Sequence, residues 1–162
     1  PATGFSREQY KPTKEELEDS GVSVLTVSDV HGDAIAKEEF RAKVDMTFDE
    51  VDMQQYDGVV FFGGPGAERY LNNRTCYEML RSADKLEKII GGIQVAPRIL
   101  ARAGVLEDKQ ATGWNEDDNL RKIFDNFEAE YKDKEVVKDK NVITAKNAEA
   151  ATKFAHSLSL EL

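Results

Sequence analysis

Continuous apolar runs alternate along this chain with segments whose apolar residues recur at helical spacing. Val22-Ser23-Val24-Leu25-Thr26-Val27 is a short β-branched run and predicts a strand. Gly58-Val59-Val60-Phe61-Phe62 is apolar without alternation, the pattern of a parallel strand covered on both faces, and residues 88–93 predict a third strand. Further strands are expected near Gln110-Ala111-Thr112 and in the pair Glu135-Val136-Val137-Lys138 and Asn141-Val142-Ile143-Thr144, joined through Asp139-Lys140. Thr13-Lys14-Glu15-Glu16 has the spacing of a capping box and predicts a helix that Gly21 closes. Helices are also expected over residues 67–71, 75–83, 97–104 and 119–127, and from Ala148 to about Leu158, where Ala151, Phe154, Ala155 and Leu158 share one face. Residues 29–50 are polar and mixed, with a short strand expected around Lys43-Val44-Asp45-Met46 and a loop around His31-Gly32-Asp33. Strands alternating with helices imply an α/β fold, a flavodoxin-like doubly wound parallel sheet sandwiched by helices.

One stretch carries more than architecture. Ile89-Ile90-Gly91-Gly92-Ile93-Gln94-Val95-Ala96-Pro97-Arg98 reads as a buried strand, a sharp turn eased by glycine and a helix opening near Pro97. That is the layout of a nucleophile elbow, where one side chain is presented on a strained turn at the positive end of a helix. The presented residue is Gln94, which has a donor and an acceptor but is neither ionisable nor a nucleophile. The run Gly63-Gly64-Pro65-Gly66-Ala67 lacks the Lys and Ser/Thr of a P-loop and the spacing of a dinucleotide fingerprint, so neither phosphate-binding motif applies.

Five pieces in order resemble the ThiJ/PfpI family, which includes intracellular proteases and deglycases. They are Phe5-Ser6-Arg7-Glu8-Gln9-Tyr10, the run from Tyr56 to Ala67, the elbow, Ala103-Gly104-Val105-Leu106-Glu107-Asp108-Lys109-Gln110-Ala111-Thr112, and the run from Val136 to Ala145. The resemblance implies a flavodoxin-like fold and a homodimer with its pocket near the subunit contact. It places the family's cysteine on Gln94, the histidine that follows it on Val95, and a further histidine near Gly113. It places the glutamate that hydrogen-bonds the cysteine on Glu8, so that Glu8 is expected beside Gln94 with its pKa raised by burial. Gly63 and Gly64 fall where backbone amides face the nucleophile as an oxyanion hole would, and Trp114 falls near the mouth of the pocket. The family also carries a short apolar strand just before the segment matching Pro1-Ala2-Thr3-Gly4-Phe5, so the central first strand is expected to be absent from this chain. A sheet without it leaves two rows of backbone groups unpaired. A truncated sequence, a wrongly placed start and an element supplied from elsewhere all account for this, ahead of a shorter native fold.

Composition narrows the function classes. At 162 residues and 40% hydrophobic, the chain suits a single domain over residues 1–162. With 31 acidic against 22 basic residues and a net charge of −9, it is a poor match for nucleic acid, which needs clustered Lys and Arg. One cysteine, Cys76, forms no intramolecular disulfide and reads as a small buried hydrophobe on a helix. No apolar run approaches the roughly 20 residues that span a bilayer, and a cytoplasmic location is the expectation. His31 and His156 are isolated, so no metal site and no cofactor are expected. The acidic run Glu116-Asp117-Asp118 reads as a solvated helix start.

Three functional readings follow. The first is a degenerate family member that keeps a small polar pocket and acts by binding a small polar metabolite or by association. The second is a hydrolase, glyoxalase or deglycase that uses Glu8 and water in place of a thiol. The third is a structural subunit of a heteromer whose partner carries the cysteine.

Overall fold

In the computed structural model, which describes the backbone of residues 1–162 and every side chain except that of Glu38, strands and helices alternate along most of the chain. The order is β1 (Thr3–Phe5), α1 (Arg7–Asp19), β2 (Val27–Ser28), β3 (Gly32–Ala36), β4 (Arg41–Val44), β5 (Met46–Thr47), β6 (Gly58–Phe61), α2 (Arg74–Lys85), β7 (Ile89–Ile93), α3 (Ala96–Ala103), β8 (Gln110–Ala111), α4 (Asn119–Asn126), β9 (Glu130–Tyr131), β10 (Val136–Asp139), β11 (Val142–Ala145) and α5 (Ala151–Ser159). The main sheet has the order β10-β11-β7-β6. Two of its pairings set the site: β7 runs parallel to β6, from Gly58 opposite Ile89 to Phe61 opposite Gly92, and parallel to β11, from Val142 opposite Ile90 to Ala145 opposite Ile93. The hairpin partner β10 is antiparallel.

Helices cover both faces, as a doubly wound sheet requires. On one face α2 and α3 bury Leu80, Leu100 and Leu106 with Ile90, Leu120 and Phe124. On the other, α1 and α5 bury Leu17, Phe154 and Leu158 against Ile93 and Ile143. The face of α5 is the expected one, with Ala151, Phe154, Ala155 and Leu158 all buried. Among the described residues, no helix is long and apolar enough to cross a membrane.

Three segments depart from the sequence reading. Helix α1 begins at Arg7 after Ser6, and Thr13 lies inside it, its hydroxyl donating to the Gln9 carbonyl at 2.8 Å and not capping anything. Pro12 is tolerated there because packing of Gln9, Thr13 and Leu17 inward holds the helix across it. Of the expected loop at His31-Gly32-Asp33, Gly32 and Asp33 already belong to β3, which pairs antiparallel with β4 from Gly32 opposite Val44 to Ile35 opposite Arg41. Ala34, Ala36, Ala42 and Val44 alternate inward against Phe5, and alanine is too weak a hydrophobic signal to show that period in sequence. Of the run from Val22 to Val27, only Val27 enters a strand, paired through β2 with β5. That run and β6 face each other across a slot of about 660 Å³. All four residues of β6 are consequently half-buried, although their apolar run predicted cover on both faces.

Candidate functional site

The elbow is built as its sequence implies. Gln94 follows β7 with φ of 64°, a left-handed backbone conformation that a non-glycine residue adopts only under constraint. Two backbone bonds impose it: the Gln94 N–H donates to the Ala145 carbonyl at 2.9 Å, and the Gln94 carbonyl accepts from Trp114 N–H at 2.8 Å. Val95 is buried at the start of α3, Pro97 occupies its first turn, and Gly104 closes it with φ of 85°. A Cβ at Gly92 would stand 2.8 Å from Leu100, so close seating of α3 on β7 needs glycine there.

The Gln94 side chain turns toward the glycine loop after β6. Its Oε1 accepts from Gly64 N–H at 2.6 Å and from Gln9 Nε2 at 3.2 Å, and Gln9 Oε1 accepts from Gly63 N–H at 3.1 Å. Backbone N–H groups only donate, so both amide oxygens must face the loop, and this fixes how the two side-chain amides are oriented. Gln9 is 1% exposed. The two glycine amides expected to face a nucleophile are thus each occupied by a glutamine oxygen.

Glu8, expected beside Gln94, is not there. It is exposed, accepts from the Ser6 hydroxyl at 2.9 Å, and its carboxyl lies below the usual range because its own backbone N–H and then Ser6 bond the charged form. The expected rise from burial is therefore reversed. One residue along a helix is a rotation of about 100°, and that rotation separates Glu8 from the inner stripe of Gln9, Thr13 and Leu17. The four-residue spacing of Gln9, Thr13 and Leu17 was the signal that could have identified Gln9.

Trp114 is half-buried with its backbone tied to the elbow and its ring under the Arg98 guanidinium, 5.0 Å from the ring centre. Arg98 is 5% exposed at its side chain and donates to Asp117 through two nitrogens, at 3.0 and 2.6 Å, and to the Trp114 carbonyl at 3.2 Å. The bond from Arg98 is the main reason that the Asp117 carboxyl drops to about 2. Asp117 is therefore more than a solvated helix start; it anchors the loop that backs the elbow. Gly113 is buried beside the same turn, where a Cβ would meet the Gln94 carbonyl oxygen at 3.1 Å.

The remaining chemically interesting side chains lie elsewhere. Cys76 is 1% exposed on the first turn of α2, and burial pushes its thiol up to about 12. His31 is exposed near Glu50, and His156 sits on α5 against Glu16. Among the described residues, no group of three or more His, Cys, Asp or Glu side chains is arranged to hold a metal ion.

Beyond this geometry, which several α/β folds share, the profile of the DJ-1/PfpI family matches residues 2–161. The chain belongs to the DJ-1/PfpI family. An uncharacterized protein of Methanocaldococcus jannaschii is 33% identical over 139 residues, covering 85% of this chain and 67% of that one. Deglycase PfpI of Pyrococcus furiosus is 32% identical over 131 residues, covering 81% and 77%. Among solved structures, a ThiJ/PfpI domain protein from Brachyspira murdochii superposes with a TM-score of 0.92 at 26% identity, covering 98% of this chain and 90% of that one. Drosophila melanogaster DJ-1beta gives a TM-score of 0.88 at 25% identity, covering 99% and 86%. The DJ-1/PfpI match spans α1, the glycine loop and the elbow, so Gln9, Gly63, Gly64 and Gln94 all lie within it.

Proposed function

We propose that this DJ-1/PfpI chain acts by binding or association, with thiol catalysis lost at the elbow. The observation that supports this reading is the pair of glutamine oxygens on Gly63 and Gly64, at 3.1 and 2.6 Å. An oxyanion hole works by presenting free donors to a charge that develops in the transition state. Here both donors are spent on neutral amides that neither ionise nor attack. The amide nitrogen of Gln94, on a half-buried side chain, is the donor that a ligand carbonyl or carboxylate would meet, which suits a small polar metabolite. A homodimer belongs to the same reading. The hydrolytic alternative needs a base at the elbow, and the exposed position of Glu8 removes its candidate.

Turnover of methylglyoxal and of a small ester tests the proposal. The chain is compared with Gln94→Cys, with Gln94→Cys combined with Gln9→Glu, and with Glu8→Ala. The expected result is an inert parent and measurable turnover only where Cys at 94 is partnered by Glu at 9. An active parent would overturn the reading, and loss of that activity in Glu8→Ala would establish the alternative.

A further inference from the structure

Hydrolysis of a side-chain amide is helped by two things, donors that hold the carbonyl oxygen as it gains charge and access for water. The chain has five glutamines, and these two conditions are spread unevenly among them. Gln54, Gln55 and Gln110 are exposed, but among the described residues no donor bonds the side-chain oxygen of any of them. Gln9 has one donor on its oxygen, Gly63 N–H at 3.1 Å, yet at 1% exposure it is shut away from water. Gln94 meets both conditions. Its Oε1 accepts from Gly64 N–H at 2.6 Å and from Gln9 Nε2 at 3.2 Å, and its side chain is only half-buried. Its Nε2 has no partner among the described residues and is not enclosed, since the buried unpartnered side-chain atoms there are Arg98 Nε and Arg102 Nε. The amide carbonyl of Gln94 thus lies where the donors of an oxyanion hole would hold a reacting carbonyl.

We propose that Gln94 is a self-modification site, an amide that the elbow hydrolyses to a carboxylate with water as the only co-reactant. The oxygen of a water molecule adds to Gln94 Cδ, and the carbonyl electron pair moves onto Oε1, where Gly64 N–H and Gln9 Nε2 hold the new negative charge. The carbon–nitrogen bond then breaks, the nitrogen takes a proton from the added water, and ammonia leaves into solvent. Nothing is oxidised or reduced, and the amide at position 94 becomes a glutamate side chain. The donors stand in place beforehand because the backbone of the turn is fixed by the bonds of Gln94 to Ala145 and Trp114, so little reorganisation accompanies the step. The product is favoured by the same surroundings. A carboxylate accepts from Gly64 and Gln9 more strongly than an amide does, and it lies just ahead of the positive end of α3. The elbow therefore exists in two forms. The amide form presents a free N–H donor, and the acid form presents only acceptors and a negative charge, which repels a ligand carboxylate. This step follows from the geometry of the amide pair and does not rest on the binding reading.

The test is peptide mass mapping of the full chain after incubation in water enriched in heavy oxygen, which marks each hydrolysed amide by the exchange of its nitrogen for a heavy oxygen. The native chain, the chain held unfolded in urea, and Gln9→Leu, shown to be folded by its melting transition, are followed in parallel. In the native chain, conversion at Gln94 is expected to be about 10²–10³-fold faster than at Gln54, Gln55 and Gln110, with Gln9 unchanged. In urea that excess should vanish. In Gln9→Leu, which keeps Gly64 as a donor, the rate at Gln94 should fall about tenfold or more. Conversion at Gln94 no faster than at the three exposed glutamines would overturn the proposal. Equally fast conversion in urea would overturn it as well, because neighbouring sequence and not the folded site would then set the rate. So would an undiminished rate in Gln9→Leu, which would remove Gln9 from the step.

Discussion

Gln9 is the residue whose replacement separates a packed amide site from an open catalytic one. In Gln9→Leu the shape is nearly kept, but Gly63 N–H, buried and bonded only to Gln9 Oε1 at 3.1 Å, loses its acceptor. An orphaned buried N–H costs about 2 kcal/mol, and the lost bond to Gln94 about 1 kcal/mol more. Gln94 Oε1 keeps Gly64 N–H, so it is not itself orphaned. The more apolar leucine returns about 1 kcal/mol. The net loss is about 2 kcal/mol, which for a chain of this size lowers the melting temperature by about 4–8 °C. Gln9→Glu sharpens the test. A carboxyl there still accepts from Gly63, but its second oxygen replaces the amide nitrogen that stood 3.2 Å from Gln94 Oε1. Only the protonated acid can donate to that oxygen, and burial also favours the neutral form, so the folded pKa is raised above the unfolded value of about 4.3. The folded state then holds the proton more tightly. Stability relative to the parent is therefore greatest below about pH 4.3 and falls as pH rises until the folded group has also ionised. Urea unfolding of parent, Gln9→Leu, Gln9→Glu and Glu8→Gln at pH 5 and pH 8 reads these differences. Glu8→Gln is expected to stay within about 0.5 kcal/mol of the parent at both values. A Gln9→Glu deficit that does not grow between pH 5 and pH 8, or an effect of Glu8→Gln as large as that of Gln9→Leu, would refute the placement of Gln9 in the site.

Three further outcomes follow from the same geometry. Gly63→Ala puts a Cβ 2.4 Å from Gln94 Oε1 and 2.8 Å from the Ile93 carbonyl oxygen, so it should destabilise by about 1–3 kcal/mol; a neutral effect in thermal unfolding would show that the Gln94 side chain is not held there. The Asp117 carboxyl, lowered to about 2 mainly by Arg98, gives the fold stability that is present above about pH 4 and is lost as pH falls toward 2. Asp117→Asn should remove about 1–2 kcal/mol at pH 7, allowing for the partial exposure of Asp117, and this deficit should shrink in acid; one that is constant from pH 7 to pH 3 would contradict the ion pair. Cys76, 1% exposed with its thiol pushed up to about 12, should react with a disulfide reagent at pH 8 only as fast as the chain opens, and rapidly in urea. Prompt labelling of the native protein would place it in a different environment.

Strong local patterns carried most of the fold. The β6 and β7 runs, the elbow and the α5 face announce themselves because each is a dense apolar segment bounded by glycine or a polar break. The start of α1 was hidden by Pro12, which punctuates the sequence but not the helix, and β3 was hidden because Ala34 and Ala36 barely register as apolar. In the site, Gln94 was legible from the strand, turn and helix around it, and Gly63 and Gly64 from the resemblance to the family's glycine loop. The neighbouring glutamine was not, since Glu8 and Gln9 differ by one step on a helix whose inner stripe only packing on α5 defines. A carboxylate also draws attention as chemistry, where an amide does not.

The conformation of the elbow is explained by the contacts that hold it. A non-glycine residue at φ of 64° carries backbone strain of order 1–3 kcal/mol, and nothing in glutamine offsets that locally. Offsetting contributions come from its surroundings: Ala145 and Trp114 fix its backbone, and Gly64 and Gln9 fix its side chain. Each of these bonds contributes roughly 0.5–1.5 kcal/mol, so four of them exceed the strain of a single left-handed residue. A thiol at the same position could not span to Gly64 and accept from Gln9 at once with comparable strength, because sulfur is a weak acceptor. The two glutamines therefore make a closed amide network around the strained turn, and the bonds that hold Gln94 in its left-handed conformation are the same bonds that occupy the Gly64 amide and tie it to Gln9.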